Sequence, residues 1–200
     1  PRLHYTSFLS CFFCRGLISH GFLFVLVQSV APYRCSNEID LLITLGQFME
    51  EIMIHLRKIT EENFVDAFNL KLTPEQERFV SHPIRSLAQA YVYREQCQPF
   101  GIYKGDTMVG YVMVIYDYDI PEYDIWHMMI DESNQKRGYG KIALDRVLDY
   151  IKAKPFGSSN RVTLTCNRDN VRALNLYKSR GFTETGAADE DEIELSLMVQ

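Results

Sequence analysis

The chain has no excess of positive charge. It contains 21 Lys and Arg against 26 Asp and Glu, which gives a formal net charge of -5. A surface that tracks nucleic-acid phosphates generally makes a domain basic, so this composition argues against a nucleic-acid partner. Residues 1–48 hold only three arginines and two acidic residues, so the acidic excess lies in residues 49–200. An acidic body suits a cationic substrate, although mild acidity also serves solubility alone.

Cysteine is scarce and is poorly arranged for a metal. Of five cysteines, three lie near the start of the chain, at Cys11, Cys14 and Cys35. Cys11 and Cys14 form a C-x-x-C pair, but no second pair stands at the spacing of a zinc site, which argues against a metal centre. We therefore expect free thiols, no metal, and a reducing, cytoplasmic compartment.

Long hydrophobic runs are missing as well. The apolar stretch from Gly16 to Val30 is interrupted by polar residues and is shorter than the ~20 residues of a membrane span. We expect residues 1–48 to be an extension outside the catalytic fold, such as translated upstream sequence, with a signal peptide or a membrane tether as alternatives. Residues 53–200 are expected to form one domain, since 46% hydrophobic residues suffice for a core.

From Ile54 onward the pattern alternates between strands and helices. Thr60 is a candidate helix N-cap, with Phe64, Val65 and Phe68 on one face, and two further helical patches begin at prolines. The expected helices after Thr60 span Pro74 to Val80, Pro83 to Tyr91, Ile142 to Lys152 and Asn170 to Tyr177. The expected strands are Ile54 to Ile59, Phe100 to Lys104, Met108 to Tyr116, Ile125 to Ile130, Arg161 to Cys166, Phe182 to Glu184 and Ile193 to Val199. This order predicts an α/β (α+β) fold, a mixed central sheet of about six to seven strands with helices on both faces.

A glycine-containing turn links the strand ending at Ile130 to the following helix. It reads Gln135, Lys136, Arg137, Gly138, Tyr139, Gly140 and Lys141. Two glycines let several N–H groups converge at a helix N-terminus, and three cations lie nearby, an arrangement that suits a pyrophosphate. The dinucleotide pattern G-x-G-x-x-G is not met, because no third glycine follows. A strand-to-helix turn with no phosphate role is the alternative.

The spacing of Gln135, Gly138 and Gly140 resembles the pyrophosphate loop, Q/R-x-x-G-x-G/A, of the GNAT superfamily of acyl-CoA N-acyltransferases. A second signature of that superfamily follows in order, with Asn170, Ala173 and Tyr177 ahead of the pair Gly181 and Phe182. The resemblance implies the GNAT fold and direct transfer from acetyl-CoA to an amine in a ternary complex. Members are often dimers, so a homodimer is expected.

A finer likeness, to the bacterial spermine/spermidine (diamine) acetyltransferase group, spans Leu72 to Ile130. It is carried by strings such as Ser86 to Tyr91, Met108 to Met113 and Trp126 to Asp131. His127 departs from the Arg expected after the tryptophan, and Pro83 and Arg85 stand where an Asn and an acidic residue are usual. The favoured acceptor is a polyamine such as spermidine or spermine. A peptide or protein amine, an amino acid, an antibiotic amine, or CoA binding without turnover remain alternatives.

The resemblance also implies roles for particular residues. Tyr177 matches the general acid, although an aromatic on the inner face of a helix needs no such role. The backbone of Arg137 to Lys141, with Lys136, would anchor the pyrophosphate. The main chain of Met128 and Ile130 would pair with the pantetheine arm, and the N–H of Met129 would polarise the thioester carbonyl. The resemblance places Gln135, Ala173 and Asn170 at the same cofactor, although capping alone explains Asn170.

The acceptor side is less defined. His127 titrates in the right range for a base, but neighbouring strand residues face opposite ways, so His127 and Met128 could share a pocket only through a bulge. Glu75, Glu77 or Asp117 acting through water is the rival. The acidic, tyrosine-rich loop at 117–124 could bind an extended ammonium or be a solvated turn. We expect the substrate to contact Glu75, Asp117, Tyr118 and Trp126.

Overall fold

The computed structural model describes residues 53–200, and the extension expected over residues 1–48 lies outside them. The described part contains a seven-stranded sheet in the order β1-β2-β3-β4-β5-β7-β6. Every neighbouring pair is antiparallel except β4 and β5, which are parallel. The strands are β1 Ile54–Lys58, β2 Cys97–Lys104, β3 Thr107–Asp117, β4 Glu122–Ile130, β5 Arg161–Asn167, β6 Thr183–Ala188 and β7 Glu192–Met198. The expected mixed sheet is confirmed.

Helices cover both faces of this sheet, because alternate strand residues are apolar on each side. The side chains of Val112 and Val114 pack with α3 and α4, and those of Tyr111 and Met113 pack with α1 and α2. We call these two sides the α3 face and the α2 face. The helices are α1 Phe64–Phe68, α2 Pro83–Val92, α3 Tyr139–Lys152 and α4 Val171–Lys178, with a 3-10 turn at Glu132–Asn134.

Local signals set several of these boundaries as expected. Gly105, with a φ of 56°, makes the turn between β2 and β3. The side chain of Asn170 accepts a hydrogen bond from the N–H of Ala173 (3.2 Å) and so caps α4. Gly181, with a φ of 90°, follows the end of that helix.

Two expected helices are wrong in part. Residues 74–80 form turns and not a helix: the N–H groups of Gln76 and Glu77 both donate to the Thr73 carbonyl (2.8 and 3.2 Å). Seven residues give too few bonds to offset helix nucleation without a large packed face. The first helix begins at Phe64 and not directly after Thr60. It buries Ala67, whereas Phe64 and Val65 are exposed, so its expected apolar face is also wrong.

A V-shaped cleft forms where β4 and β5 separate. The two strands pair only at Tyr123 with Val162 and at Asp124 with Thr163, although both continue further. Asp124 therefore stands at the apex of the V. The open end of the V faces the glycine loop that follows β4.

A β-bulge in β4 changes which side chains face which side. Met113 pairs with His127 and Val114 pairs with Ile125, so Trp126 has no partner on β3 and is the extra residue. Trp126 packs with the apolar cluster of the α2 face and His127 contacts α2, while Met128 packs on the α3 face. A bulge is therefore present, but it puts Trp126 and His127 on the same face and leaves His127 and Met128 on opposite faces.

Candidate active site

A cleft of about 280 Å³ runs along the open V. Its walls are the last residues of β4, the glycine loop, the first turns of α4 and the segment at 72–80. The sequence-predicted residues that line it are Met128, Met129, Ile130, Gln135, Lys136, Gly138, Tyr139, Gly140, Lys141, Asn170, Ala173 and Tyr177. Arg137 does not line it, because its guanidinium folds back and donates to the Ser133 carbonyl (3.3 Å).

The glycine loop presents free N–H groups to this cleft. Lys136 and Gly138 both have left-handed backbone angles, with φ of 61° and 81°. A Cβ at Gly138 would meet nothing, so the backbone conformation and not the space favours glycine there. Within residues 53–200, the consecutive N–H groups of residues 136–140 have no hydrogen-bond acceptor. They lie at the N-terminus of the 14-residue α3, where the helix dipole also favours an anion.

Gln135 ties the loop to both walls of the cleft. Its side-chain Nε2 donates to the Ile130 carbonyl (2.9 Å) and to Gln76 Oε1 (2.8 Å). Its Oε1 accepts from Arg172 of α4 (2.6 Å) and from Gln76 (3.2 Å). One amide thus fixes the position of the loop relative to β4, α4 and the 72–80 segment.

The edge of β4 that faces the cleft is available for a ligand. The N–H of Asp131 donates to Val109 of β3 (2.9 Å). Because successive peptide groups of a strand point to opposite edges, Met129 also faces β3, and Met128 and Ile130 face the cleft. This direction suits the expected main-chain roles of Met128 and Ile130. The expected role for the Met129 N–H does not fit, since that N–H points toward β3.

Tyr177 lies on the inner side of α4, 8% exposed, and lines the same cleft as Met128. Burial raises the pKa of its hydroxyl far above the ordinary value, and the nearby Cys166 and Asp124 add to the effect. The side chain is therefore a neutral O–H donor at neutral pH. No hydrogen bond within the described chain engages that hydroxyl, which leaves it available to a bound molecule.

His127 does not line the cleft. Its Nδ1 lies 2.8 Å from the Oγ of Ser86 on α2, and Ser86 also donates to the Tyr111 hydroxyl (3.0 Å). Its ring stacks on Trp126, with centroids 5.5 Å apart. Burial lowers the pKa of His127 to about 4, and Arg85 contributes. A neutral, held imidazole on the α2 face is a weak base, so the expected role in proton abstraction does not fit this geometry.

Residues 56–182 match the model of the Acetyltransferase (GNAT) family. The chain belongs to the GNAT family. As a GNAT enzyme it is an N-acetyltransferase, and the family uses acetyl-CoA as the acetyl donor. The seven-stranded sheet with its parallel β4 and β5 is the GNAT fold.

Similar proteins include enzymes with different acceptors. The chain is 26% identical over 149 residues to the spermine/spermidine N(1)-acetyltransferase of Bacillus subtilis (strain 168), covering 68% of this chain and 91% of the relative. The structure of spermidine N-acetyltransferase from Vibrio cholerae, in complex with CoA and spermine, aligns with a TM-score of 0.60 at 18% identity, covering 73% of this chain and 95% of that one. A Salmonella typhimurium acetyltransferase that modifies the N-terminal serine of ribosomal protein L7/L12 aligns with the same TM-score at 14% identity, covering 74% and 96%. The two structural likenesses concern the fold.

None of the four residues expected to bind the acceptor of this GNAT enzyme lines the cleft. Asp117 accepts from the N–H groups of Asp119 (2.7 Å) and Ile120 (3.0 Å), so it stabilises the β3–β4 turn. The hydroxyl of Tyr118 donates to the Phe156 carbonyl (3.4 Å). That turn lies at the far end of β4 from the glycine loop, about 27 Å along the strand. Glu75 is exposed on the 72–80 segment and does not line the cleft.

Trp126, the fourth, is half-buried on the α2 face against Tyr93, with centroids 5.4 Å apart. The structure adds Gln76 and Arg172, which the sequence did not single out for the site, and it places Asp124, from the acidic 117–124 segment, at the apex. For Asp124 a signal existed, because Glu122, Asp124 and Trp126 alternate with buried apolar residues and so share one face.

No helix among residues 53–200 is long and apolar enough to cross a membrane. In the same residues, no three His, Cys, Asp or Glu side chains are grouped so as to hold a metal ion.

Proposed function

We propose that this GNAT enzyme transfers the acetyl group of acetyl-CoA to a primary amine of a polyamine such as spermidine or spermine. The observation that carries the proposal is the row of free N–H groups at residues 136–140, which opens into the same cleft as the Tyr177 hydroxyl. The Bacillus subtilis relative supports the acceptor class by its activity on spermine and spermidine.

The residues present fit coenzyme A. The N–H groups of the loop and the dipole of α3 would hold its diphosphate, and Lys136 and Lys141 line the cleft beside them. The free edge of Met128 and Ile130 would pair with the amides of the pantetheine arm in the manner of an added strand. The arm would then run along β4 from the loop toward the apex at Asp124, which directs the thioester to that apex.

Tyr177 would complete the transfer. The amine nitrogen attacks the thioester carbonyl, the new C–N bond forms, and the C–S bond breaks with its electron pair on sulfur. A neutral hydroxyl with a raised pKa can donate its proton to the leaving thiolate, and general acids of this kind contribute typically about 10²- to 10⁴-fold.

The acceptor is tested by incubating the purified full chain with acetyl-CoA and one amine at a time while free thiol is followed. The panel is spermidine, spermine, a peptide with an N-terminal serine, free amino acids and an aminoglycoside. The expected result is the highest kcat/KM with a polyamine. Turnover of the peptide with none of any polyamine would replace the acceptor with a protein N-terminus, the second candidate, which is the acceptor class of the Salmonella typhimurium enzyme of the same fold.

The role of Tyr177 is tested by Tyr177→Phe, which removes only the hydroxyl. We expect kcat to fall by about 10²-fold or more while the Kd for CoA stays within about twofold, because the ring still packs against Phe182. Tyr91→Phe, at a residue that is 75% exposed, is the matched control. An unchanged kcat would remove the acid role, and a wild type that binds CoA without turning over any amine would indicate a binding module. A homodimer and a cytoplasmic location stay predictions, which light scattering and cell fractionation would check.

A further inference from the structure

Carboxylates gather at the apex of the V, on the α2 face. Asp124 is the last residue of β4 that pairs with β5, and Glu122 lies two residues earlier on the same face. Thr163 of β5 donates its hydroxyl to Glu122 Oε1 (3.1 Å), which fixes that carboxylate beside the apex. Glu194 of β7 completes the group and contributes its charge to Asp124. Two strands, β4 and β7, thus bring three carboxylates close together.

The charge of this group is only partly balanced. Arg161 pairs with Glu122 (3.2 Å, without hydrogen-bond geometry) and with Glu194 (3.2 Å). In the described part of the chain no cation pairs with Asp124, and its Oδ1 is buried without any hydrogen-bond partner. A buried carboxylate oxygen without a donor is costly, so this oxygen can accept a hydrogen bond from a bound N–H group.

The donor cleft lies further along β4 from the apex, where Met128, Met129 and Ile130 line it. Tyr177 lines that cleft from the α3 face, and burial chiefly, with Cys166 and Asp124, raises the pKa of its hydroxyl. The strand from Ile130 to Asp124 spans about 20 Å, so an arm held at the glycine loop and lying along β4 points toward Asp124. Asp124 and Tyr177 therefore lie on opposite faces of the sheet, beside the opening between β4 and β5.

We propose that Asp124, supported by the negative charge of Glu122 and Glu194, binds the primary ammonium of the acceptor and takes its proton. This inference rests on the proposed acetyl transfer and names the base and the ammonium site of that reaction. The free carboxylate oxygen accepts an N–H from the ammonium, and the proton moves to the carboxylate. The neutral amine then attacks the thioester carbonyl, Tyr177 protonates the departing sulfur, and the second proton lost by the nitrogen restores the Tyr177 hydroxyl. Asp124 releases its proton to solvent after the acetylated amine leaves.

The surroundings of Asp124 suit this task near neutral pH. Burial raises its pKa to about 7, and Glu122, Glu194 and Asp117 add to the effect. The groups that face it are Glu122 on its own strand, Asp117 on β3, Arg161 and Thr163 on β5, Glu194 on β7 and, across the apex, Tyr177. A base with a pKa near the working pH is both available and strong enough to assist.

The test compares Asp124→Asn with Asp119→Asn, which makes the same change at an exposed residue of the neighbouring turn. The assay uses whichever amine of the panel the wild type acetylates fastest, so that failure of the polyamine acceptor is seen separately. We expect Asp124→Asn to lower kcat by about 10²- to 10⁴-fold and to leave the Kd for CoA, measured by calorimetry, within about twofold. A kcat within threefold of the wild type, with CoA binding intact, would overturn the proposal.

A second variant keeps the proposal testable should Asp124→Asn fail to fold. Glu194→Gln removes one of the charges that raise the pKa of Asp124 but retains the base. The inflection on the acidic side of the kcat profile is expected to move to lower pH in this variant, whereas Asp119→Asn should leave it in place. If the inflection stays in place in Glu194→Gln, Asp124 is not the titrating base. A carboxylate with only a structural role would not move the pH profile of kcat.

Discussion

The apex carboxylate makes a prediction about folding that does not depend on the reaction. The pKa of Asp124 is raised from 3.8 to about 7, chiefly by burial. Because the folded protein holds this proton more tightly than the unfolded chain, stability is lost as pH rises from about 4 to about 7. Each pKa unit corresponds to about 1.36 kcal/mol, so the three-unit shift corresponds to about 4 kcal/mol.

Asp124→Asn removes this dependence because the amide does not ionise. Near pH 4 the wild-type carboxyl is largely protonated, so the two proteins should differ least. By pH 8 the free energy of unfolding of Asp124→Asn should have risen relative to the wild type by about 4 kcal/mol. The sign is opposite to that of most surface carboxylates, whose pairing in the folded state makes stability fall as the pH drops.

The measurement is urea unfolding of both proteins at half-unit steps from pH 4 to pH 8, followed by fluorescence. The chain has one tryptophan, Trp126, which lies two residues from Asp124, so the signal reports the unfolding of β4 itself. Asp119→Asn, at an exposed site, should give a difference that is flat with pH. If the difference in unfolding free energy between Asp124→Asn and the wild type does not change with pH, the assigned burial is refuted. If Asp124→Asn instead loses stability relative to the wild type as pH rises, the carboxylate is paired with a cation in the folded protein.

Three further predictions concern the neighbours of the cleft. Burial lowers the pKa of His127 to about 4, so the folded wild type should lose stability as pH falls below 6.5. In urea unfolding, His127→Asn should therefore lose about 3 kcal/mol less unfolding free energy than the wild type between pH 7.5 and 4.5. Gly110→Ala places a Cβ against the Met129 carbonyl and should destabilise the fold by about 1 to 3 kcal/mol in thermal unfolding, whereas Gly140→Ala, where the nearest atom is 3.6 Å away, should not. Gln135→Ala removes the amide that joins the walls of the cleft and should raise the Kd for CoA about tenfold in calorimetry, and an unchanged Kd would contradict that role.

The fold could largely be predicted from the sequence because its signals are local. Gly105, Asn170 and Gly181 mark boundaries through backbone angles and capping bonds that depend on a few neighbouring residues. The segment at 74–80 could not be predicted in the same way. A proline at an N1-type position followed by spaced apolar residues is typical of a short helix, but here side-chain bonds such as that between Gln76 and Gln135 hold turns across the end of β4.

The donor half and the acceptor half of the candidate site also differ in how far the sequence could predict them. The donor half comes mainly from the end of β4, the glycine loop and α4, and the two family signatures predicted most of its residues by resemblance. The acceptor half depends on where β4 and β5 separate, which is set by long-range pairing. The sequence therefore predicted the acidic residues at the turn, such as Asp117, whereas the structure brings Asp124 to the apex of the cleft.

The bulge in β4 connects these findings. In a regular strand Trp126 and Met128 would share the α2 face, and His127 would enter the cleft beside Tyr177. The extra residue instead leaves His127 with Trp126 and turns Met128 into the cleft. The cleft then contains the Tyr177 hydroxyl, the proposed acid, without an adjacent imidazole to compete for its proton. The carboxylates lie on the opposite face, where burial moves the pKa of Asp124 toward neutrality while that of Tyr177 is raised beyond its ordinary value. Tyr177 and Asp124, the proposed acid and base, lie on opposite faces of the sheet. They can act on one substrate only where the sheet opens, and β4 and β5 separate directly beyond Asp124.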